Sequence, residues 1–233
     1  MQKQHLIELA AQNNAEWCDI VCSAHDAPGS FTQAMWVNNH SVPVYYPNIV
    51  TLQRGVDALA IQQLVATRNG GWSVKDSFDE LDLSASGFHR LFDAQWLLAP
   101  ESASSVANSN NTKWTTINDA YELASWESAW GGSEAQSLFK PSLLEDPRLR
   151  FIAAYEHGKI VAGAIVNTSQ AVVGISNVFY PKESGTEYWH GILRLTRKAF
   201  PGQPIVGYEH GDELALAIDA GLRPIGPLSV WVK

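Results

Sequence analysis

Hydrophobic positions recur with two different periods in the second half of the chain, and these periods alternate along it. Apolar residues spaced by three and four indicate amphipathic helices, whereas short runs rich in Val, Ile and aromatic residues, bounded by turn residues, indicate strands. The predicted elements are a strand at 113–117, a helix at 119–130, three strands within 151–179, a helix from 185, a strand at 203–208, a helix at 212–220 and one or two strands within 222–233. The three strands within 151–179 are expected to form an antiparallel meander, because only short turns separate them.

Residues that favour helix ends mark two of these helices. Asn118 or Asp119 can cap the first helix, and Gly131 can end it. We expect Asp212 to cap the last helix, which ends at Gly221. The second half of the chain therefore reads β, α, β, β, β, α, β, α, β.

The first half of the chain predicts a separate lobe. Its pattern indicates helices at 5–25 and 57–68 and strands within 32–38, 48–53, 71–83 and 88–99. Residues 100–112 are small and polar, so they are predicted to be a linker. We therefore expect an N-terminal lobe at 1–99, a linker at 100–112 and a second domain at 113–233.

Composition limits the classes of protein that fit this pattern. The chain has 233 residues, 45% of them hydrophobic, and contains neither a signal peptide pattern nor an apolar run long enough for a membrane helix, so we expect a cytoplasmic protein. A net charge of −8 without a cluster of Lys and Arg argues against nucleic acid as a partner. Cys18 and Cys22 lie one helical turn apart, where disulfide geometry is poor, and without a second Cys/His pair they predict free thiols and no metal site.

Three segments carry a resemblance to a known family. The segment SNVFYP leads into a helix, PIVGYE precedes an alanine-rich helix, and AGLRPIGPLSVWVK closes the chain. Together with the order of elements, they resemble the GCN5-related N-acetyltransferase (GNAT) fold over about residues 113–233. The resemblance implies an α/β (α+β) fold whose mixed, mostly antiparallel sheet is flanked by helices. It also implies transfer of an acetyl group from acetyl-CoA to the amine of a small molecule or peptide.

In this family two neighbouring strands splay apart and admit the pantetheine arm of acetyl-CoA, while the following loop binds its pyrophosphate. The resemblance therefore implies two sets of binding residues: Ser176, Asn177, Val178 and Phe179 for the pantetheine arm, and Lys182, Ser184, Gly185 and Thr186 for the pyrophosphate. The family's loop motif falls on Ser184, Glu187 and Trp189, and none of these three matches it. Residues 184–187 also have the form of a capping box, in which a helix satisfies its own amides. The alternative is therefore a non-catalytic module that has lost acetyl-CoA and binds another ligand or a protein.

Candidate catalytic residues lie at the end of the strand at 203–208. Acetyl transfer needs a base for the ammonium proton and often an acid for the leaving thiolate. Many family members have a Tyr at the position of Ala217, so Glu209 as the base and Tyr208 as the acid are the nearest replacements. A polar turn without catalytic function is the other interpretation. The N-terminal lobe is either an accessory lobe or a truncated second GNAT copy, since the pattern of strand, alanine-rich helix and strand in it faintly repeats that after 204.

Overall fold

The computed structural model describes residues 2–66, 71–100, 112–132, 137–181 and 185–233. In chain order its helices and strands are α1 (Lys3–Ala24), β1 (Ser30–Phe31), β2 (Met35–Val37), β3 (Ile49–Thr51), α2 (Ala58–Ala66), β4 (Ser73–Asp76), β5 (His89–Leu98), β6 (Lys113–Thr116), α3 (Ala120–Gly131), β7 (Leu149–Glu156), β8 (Lys159–Thr168), β9 (Val173–Phe179), α4 (Gly185–Ala199), β10 (Ile205–Glu209), α5 (Gly211–Asp219) and β11 (Arg223–Val232). The chain forms two compact units, one of Met1–Trp96 with Ile225–Lys233 and one of Leu97–Pro224.

The second unit contains the predicted meander. Its strands lie in the order β10-β9-β8-β7-β6, with β6 to β9 paired antiparallel and β10 paired parallel to β9. Apolar side chains of α4 and α5 pack with those of the sheet in one core, which includes Ile152, Val166, Trp189, Ile192 and Ala217. The expectation of a mixed, mostly antiparallel sheet flanked by helices is confirmed.

The opposite face of this sheet packs against α3. Trp126 of α3 is fully buried, its indole nitrogen donates to the carbonyl oxygen of Ile152 at 2.8 Å, and its ring contacts Phe179 with centroids 5.1 Å apart. Gly163 permits this close packing, because a Cβ atom there would lie 2.5 Å from the Trp126 indole nitrogen. Phe179, the last residue of β9, therefore packs on the α3 face and holds the strand there.

The first unit has a smaller core around its own strands. Their order is β1-β2-β3-β4-β11-β5, with β3 parallel to β4 and β4 antiparallel to β11. The side chains of this core come from β3, α2, β4 and β11, and from Trp72 just before β4. They include Ile49, Ile61, Val74 and Trp231. The predicted boundaries at 99 and 113 stay a prediction, and residues 101–111 of the predicted linker lie outside the described part of the chain.

Helix starts follow the sequence prediction at α3 but not at α5. Asp119 caps α3, because its carboxylate accepts from the Glu122 amide at 2.8 Å. The predicted cap at Asp212 is wrong: α5 begins at Gly211 after an extended His210, and Asp212 lies inside the first turn. There its negative charge still favours the helix, because the unpaired amides of a first turn carry partial positive charge.

The predicted strand within 71–83 is also longer than the observed one. β4 ends at Asp76, since the carboxylate of this residue accepts from the amides of Phe78, Glu80 and Leu81 and folds the chain into a turn. Asp76 itself is only 1% exposed. A buried carboxylate that accepts from the amides following it gives the backbone an alternative to the strand ladder, so the strand ends there.

Both cysteines lie in α1 as buried, free thiols, as predicted. Burial is the main reason that the pKa of Cys18 rises to about 11 and that of Cys22 to about 12. Within the described ranges, no three His, Cys, Asp or Glu side chains are grouped to hold a metal ion, and no helix is both long and apolar enough to span a membrane.

Candidate functional site

The neighbouring strands β9 and β10 pair only at their beginnings. Their register joins Ile205 to Val173 and Val206 to Gly174. Both strands are fully described and continue past these pairs, yet no further pair joins them. The two strands therefore diverge toward their carboxyl ends.

The divergence begins at Gly207. The two backbones are still close there, because a Cβ atom on Gly207 would lie 3.0 Å from the carbonyl oxygen of Ile175. Beyond these two residues lies a space between the strands, which we call the strand gap. Its sides are the end of β9 up to Phe179 and the end of β10 up to Glu209.

A β-bulge changes the backbone of β9 on one side of the strand gap. Gly163 of β8 pairs with Phe179, and Ile165 pairs with Ser176, so β9 carries one residue more than β8 between these pairs. Asn177 in the bulge has a φ of 51°, in the left-handed region that few residues other than glycine adopt. The extra residue leaves backbone groups outside the ladder, where a ligand can bind them.

Ser176 adds an unpartnered hydroxyl at the same place. Its oxygen is buried and makes no hydrogen bond to any described residue. A buried hydroxyl without a partner is costly, and in native proteins such groups often face a ligand or water. The side of the strand gap formed by β9 therefore offers both side-chain and backbone hydrogen-bonding groups.

Two carboxylates lie on the other side of the strand gap. Glu209 ends β10, and Glu213 lies in the first turn of α5; both are half-buried. Burial, and to a smaller degree the negative charge of Glu213, raises the pKa of Glu209 to about 8. Glu209 makes no hydrogen bond within the described ranges that would favour its ionised form. A carboxyl group in this state can exchange a proton near neutral pH.

Tyr180, the residue directly after β9, contacts both helices that begin here. Its hydroxyl donates to Glu213 and accepts from the indole nitrogen of Trp189 at 3.2 Å. Burial and the bond to Glu213 raise the pKa of the Tyr180 hydroxyl. Gly185 leaves room for the Tyr180 ring, since a Cβ atom at Gly185 would lie 2.8 Å from that ring and 3.0 Å from Leu216.

Most of the site residues predicted from the sequence lie around the strand gap. Ser176, Asn177, Val178 and Phe179 lie along its β9 side, Gly185 and Thr186 begin α4, and Tyr208 and Glu209 end β10. Lys182 and Ser184 lie outside the described residues, and Ser184 is also the serine of the predicted capping box. Successive side chains of a strand point to opposite faces, so Tyr208 and Glu209 lie on different faces of β10.

The sequence prediction missed Tyr180 and Glu213. Two signals point to them: Tyr180 stands between a strand end and Pro181, and Glu213 follows Glu209 by four residues across a helix start. Neither signal identifies their contact, because the bond joins residues 33 positions apart in the chain.

Comparison with known proteins rests on structure alone. No protein-family model matches the chain, and no curated protein matches its sequence significantly. A GCN5-related N-acetyltransferase from Kribbella flavida matches with a TM-score of 0.64 at 13% sequence identity, covering 96% of this chain and 95% of that one. The chain has the GNAT fold.

Two further solved structures match this GNAT fold over nearly their whole length. A GCN5-related N-acetyltransferase from Sphaerobacter thermophilus has a TM-score of 0.56 at 11% identity, with 97% of this chain and 93% of that one covered. A tandem GNAT protein from the clavulanic acid biosynthesis pathway has a TM-score of 0.54 at 11% identity, with 96% and 94% covered. The resemblance in fold predicted from the three sequence segments is thus confirmed.

The GNAT fold implies acetyl-CoA, and the residues of the strand gap fit its pantetheine arm. The arm carries amide groups that need hydrogen-bonding partners. The Ser176 hydroxyl is such a partner, and the bulge at Asn177 adds backbone groups outside the ladder. Gly185 and Thr186 place backbone amides at the start of α4, where a phosphate is favoured. Glu187 in the same turn is exposed and opposes a second negative charge. The fit is therefore better for the arm than for the pyrophosphate.

Proposed function

We propose that the protein is an acyl-CoA-dependent N-acetyltransferase that acts on the amine of a small molecule or peptide. The observation that carries this proposal is the divergence of β9 and β10, with an unpartnered Ser176 hydroxyl on one side and the Glu209 carboxyl on the other. Acetyl-CoA supplies the acetyl thioester when it is bound. The chain itself has to supply a base, donors for the thioester oxygen and an acid.

Glu209 is the base in this proposal. An amine attacks only when it is neutral, so a group at the site has to take the proton of the ammonium. The pKa of Glu209, raised to about 8 by burial and Glu213, brings its proton affinity closer to that of an amine than an exposed carboxylate would reach. Glu209 therefore holds the proton that the amine releases.

Ser176 and the bulge donate to the thioester oxygen in this proposal. Negative charge develops on that oxygen during transfer, and fixed donors stabilise it most where water is excluded. The Ser176 hydroxyl has no competing partner among the described residues, so a bound ligand does not have to displace one. The bulge at Asn177 orients backbone amides in the same segment.

Tyr208 remains the proposed acid for the leaving thiolate. It lies on the face of β10 opposite to Glu209, and a ligand that passes through the strand gap can contact both faces. Its half-buried position near the end of β10 leaves it accessible from that side.

The test is acetyl-CoA-dependent release of a thiol with a panel of amines: an amino sugar, a diamine and a peptide with a free N-terminus. Thiol reagents suit this assay because both cysteines of the chain are buried. We expect millimolar acetyl-CoA to raise the melting temperature, since a ligand that binds only the native state stabilises it. Glu209→Gln should keep that rise and lose about 100-fold in turnover. If acetyl-CoA does not raise the melting temperature, the proposal is wrong.

A second candidate is a non-catalytic GNAT-like module that binds another ligand or a protein. The contact between Tyr180 and Glu213 beside the start of α4 favours it, because this contact occupies space next to the helix that would hold the pyrophosphate. The same melting experiment separates the two candidates, since the module predicts no response to acetyl-CoA.

A further inference from the structure

Both helices that follow the diverging strands begin at the open end of the strand gap. β9 ends at Phe179 and α4 begins at Gly185, while β10 ends at Glu209 and α5 begins at Gly211. A ligand that lies in the strand gap and reaches the first turn of α4 therefore has to pass between the two helix starts.

The side chain of Tyr180 spans these two helix starts. On the α4 side its ring lies against Gly185 and its hydroxyl accepts from Trp189. On the α5 side the hydroxyl donates to Glu213, and Leu216 reaches the same glycine. The ring thus fills the position that the missing Cβ atom of Gly185 leaves open.

We propose that the hydrogen bond from Tyr180 to Glu213 is a latch that closes the open end of the strand gap, and that the acyl donor opens this latch when it binds. This inference rests on the proposed function, because it concerns the donor of that same site. A hydrogen bond to a carboxylate inside a protein is stronger than one between neutral groups. The donor has to break this hydrogen bond. The apparent affinity for the donor is therefore its intrinsic affinity multiplied by the fraction of molecules in which the latch is open.

The latch also selects among ligands. A ligand confined to the strand gap leaves the latch closed and gains nothing at the start of α4. A donor with a phosphate-bearing extension gains the amides of Gly185 and the following turn only after Tyr180 has moved. Acetyl-CoA should therefore respond to removal of the latch, whereas S-acetyl-pantetheine, which lacks the nucleotide, should not.

Calorimetric titration of the full chain with acetyl-CoA and with S-acetyl-pantetheine tests this inference. Tyr180→Phe keeps the ring and removes the hydroxyl without changing any charge. We expect it to bind acetyl-CoA about tenfold to 100-fold more tightly than the wild type, the range of one charged hydrogen bond, and S-acetyl-pantetheine equally. Tyr155→Phe is the matched control, because the Tyr155 hydroxyl also contacts a glutamate, Glu122, at 3.5 Å but lies on β7. It should leave both affinities unchanged.

The outcomes separate the latch from the proposed function. Equal binding of acetyl-CoA by the wild type and Tyr180→Phe overturns the latch and leaves the enzyme proposal intact. Binding by neither protein overturns both. If Tyr180→Phe does not fold, Glu213→Gln, which weakens the same bond from the other side, should show the same gain, and a loss or no change overturns the latch.

Discussion

Each unit of the molecule contains a pair of parallel strands joined by a helix. The two pairs differ in the hydrogen bonds of the polar side chains beyond their paired residues. In the first unit β3 and β4 pair at Ile49 with Val74 and at Val50 with Lys75, with α2 between them in sequence. In the second unit β9 and β10 also pair at two positions only, with α4 between them. The two units are therefore alike in this topology and in the number of paired positions.

In the first unit, the polar side chains of Thr51 and Asp76, directly beyond the paired residues, bond each other and the turn that follows. The Thr51 hydroxyl bonds the Asp76 carboxylate at 3.3 Å and accepts from the Ser77 amide at 2.8 Å. The same carboxylate accepts from three amides of the turn that follows. The polar atoms of Thr51 and Asp76 that could bind a ligand are occupied by the protein itself.

The second unit has polar groups without such partners in the described ranges, somewhat further beyond its paired residues. The Ser176 hydroxyl has no hydrogen bond to a described residue, and the Glu209 carboxyl is desolvated beside a second carboxylate. Unpaired polar groups reduce stability, so a fold keeps them where they do something else. The Ser77 hydroxyl, directly after β4 in the first unit, is also buried without a partner among the described residues, so an unpaired hydroxyl alone does not distinguish the two units. The comparison teaches that they differ in their carboxylates: that of Asp76 is held by its own turn, whereas that of Glu209 is desolvated and makes no such bonds in the part of the chain that the structure describes.

Removal of the Asp76 side chain should cause the largest loss of stability of the substitutions considered. We expect this substitution to affect stability only. Asp76→Ala leaves three turn amides and the Thr51 hydroxyl without their acceptor, so we expect the free energy of unfolding to fall by about 3 to 4 kcal/mol. Urea unfolding measures this loss. Asp82→Ala is the control, because the Asp82 carboxylate also binds an amide and a hydroxyl, both of Ser84, but is fully exposed. If Asp76→Ala loses no more stability than Asp82→Ala, the hydrogen bonds of Asp76 do not hold the turn after β4.

Sequence periodicity predicts most elements of the second unit, because each buries one apolar face and the turns between strands are short. The helix start at Asp119 was also predictable, since capping is a contact between residues three positions apart. Asp212 shows the limit of this rule, because an extended His210 followed by a glycine can begin a helix without a side-chain cap. Asp76 shows another, since a strand pattern continues in the sequence beyond the residue that ends the strand.

The candidate site was predictable only where the chain itself runs through it. Periodicity places Ser176 to Phe179 and Glu209 at strand ends, and the GNAT resemblance implies their part in a site. Tyr180 and Glu213 could not be predicted, because their bond depends on how two helix starts lie beside each other. The arrangement of β3, α2 and β4 is shared by β9, α4 and β10, whereas the sequence repeat matches the N-terminal pattern to the segment after 204. The second GNAT copy stays a prediction.

The Glu209 carboxyl should make the stability of the second unit fall as pH rises. Its pKa is about 8 in the folded chain against an ordinary value of 4.5, so below about pH 4.5 both states hold the proton and no stability is lost. Between these values the unfolded state ionises first, and the free energy of unfolding falls as pH rises. We expect a loss of about 2 kcal/mol for this half-buried group between pH 5 and pH 8.5, measured by urea unfolding.

Glu209→Gln cannot ionise, and this loss should disappear in it. Glu187→Gln, at an exposed position in the first turn of α4, is the control and should keep the pH dependence of the wild type. If Glu209→Gln retains the wild-type dependence, Glu209 is solvated and the strand gap does not desolvate it.

The smallest effects come from two hydroxyl groups that lie beyond the paired residues of β3 and β9. Thr51→Val removes an acceptor of the Ser77 amide and a donor to Asp76 without changing the shape of the side chain, so we expect a loss of about 1.5 kcal/mol in urea unfolding. Ser176→Ala removes a hydroxyl with no partner among the described residues, and its stability should change by less than about 0.5 kcal/mol. Equal losses from the two substitutions would mean that the Ser176 hydroxyl is paired in solution. The proposed site would then lose the free hydroxyl on its β9 side.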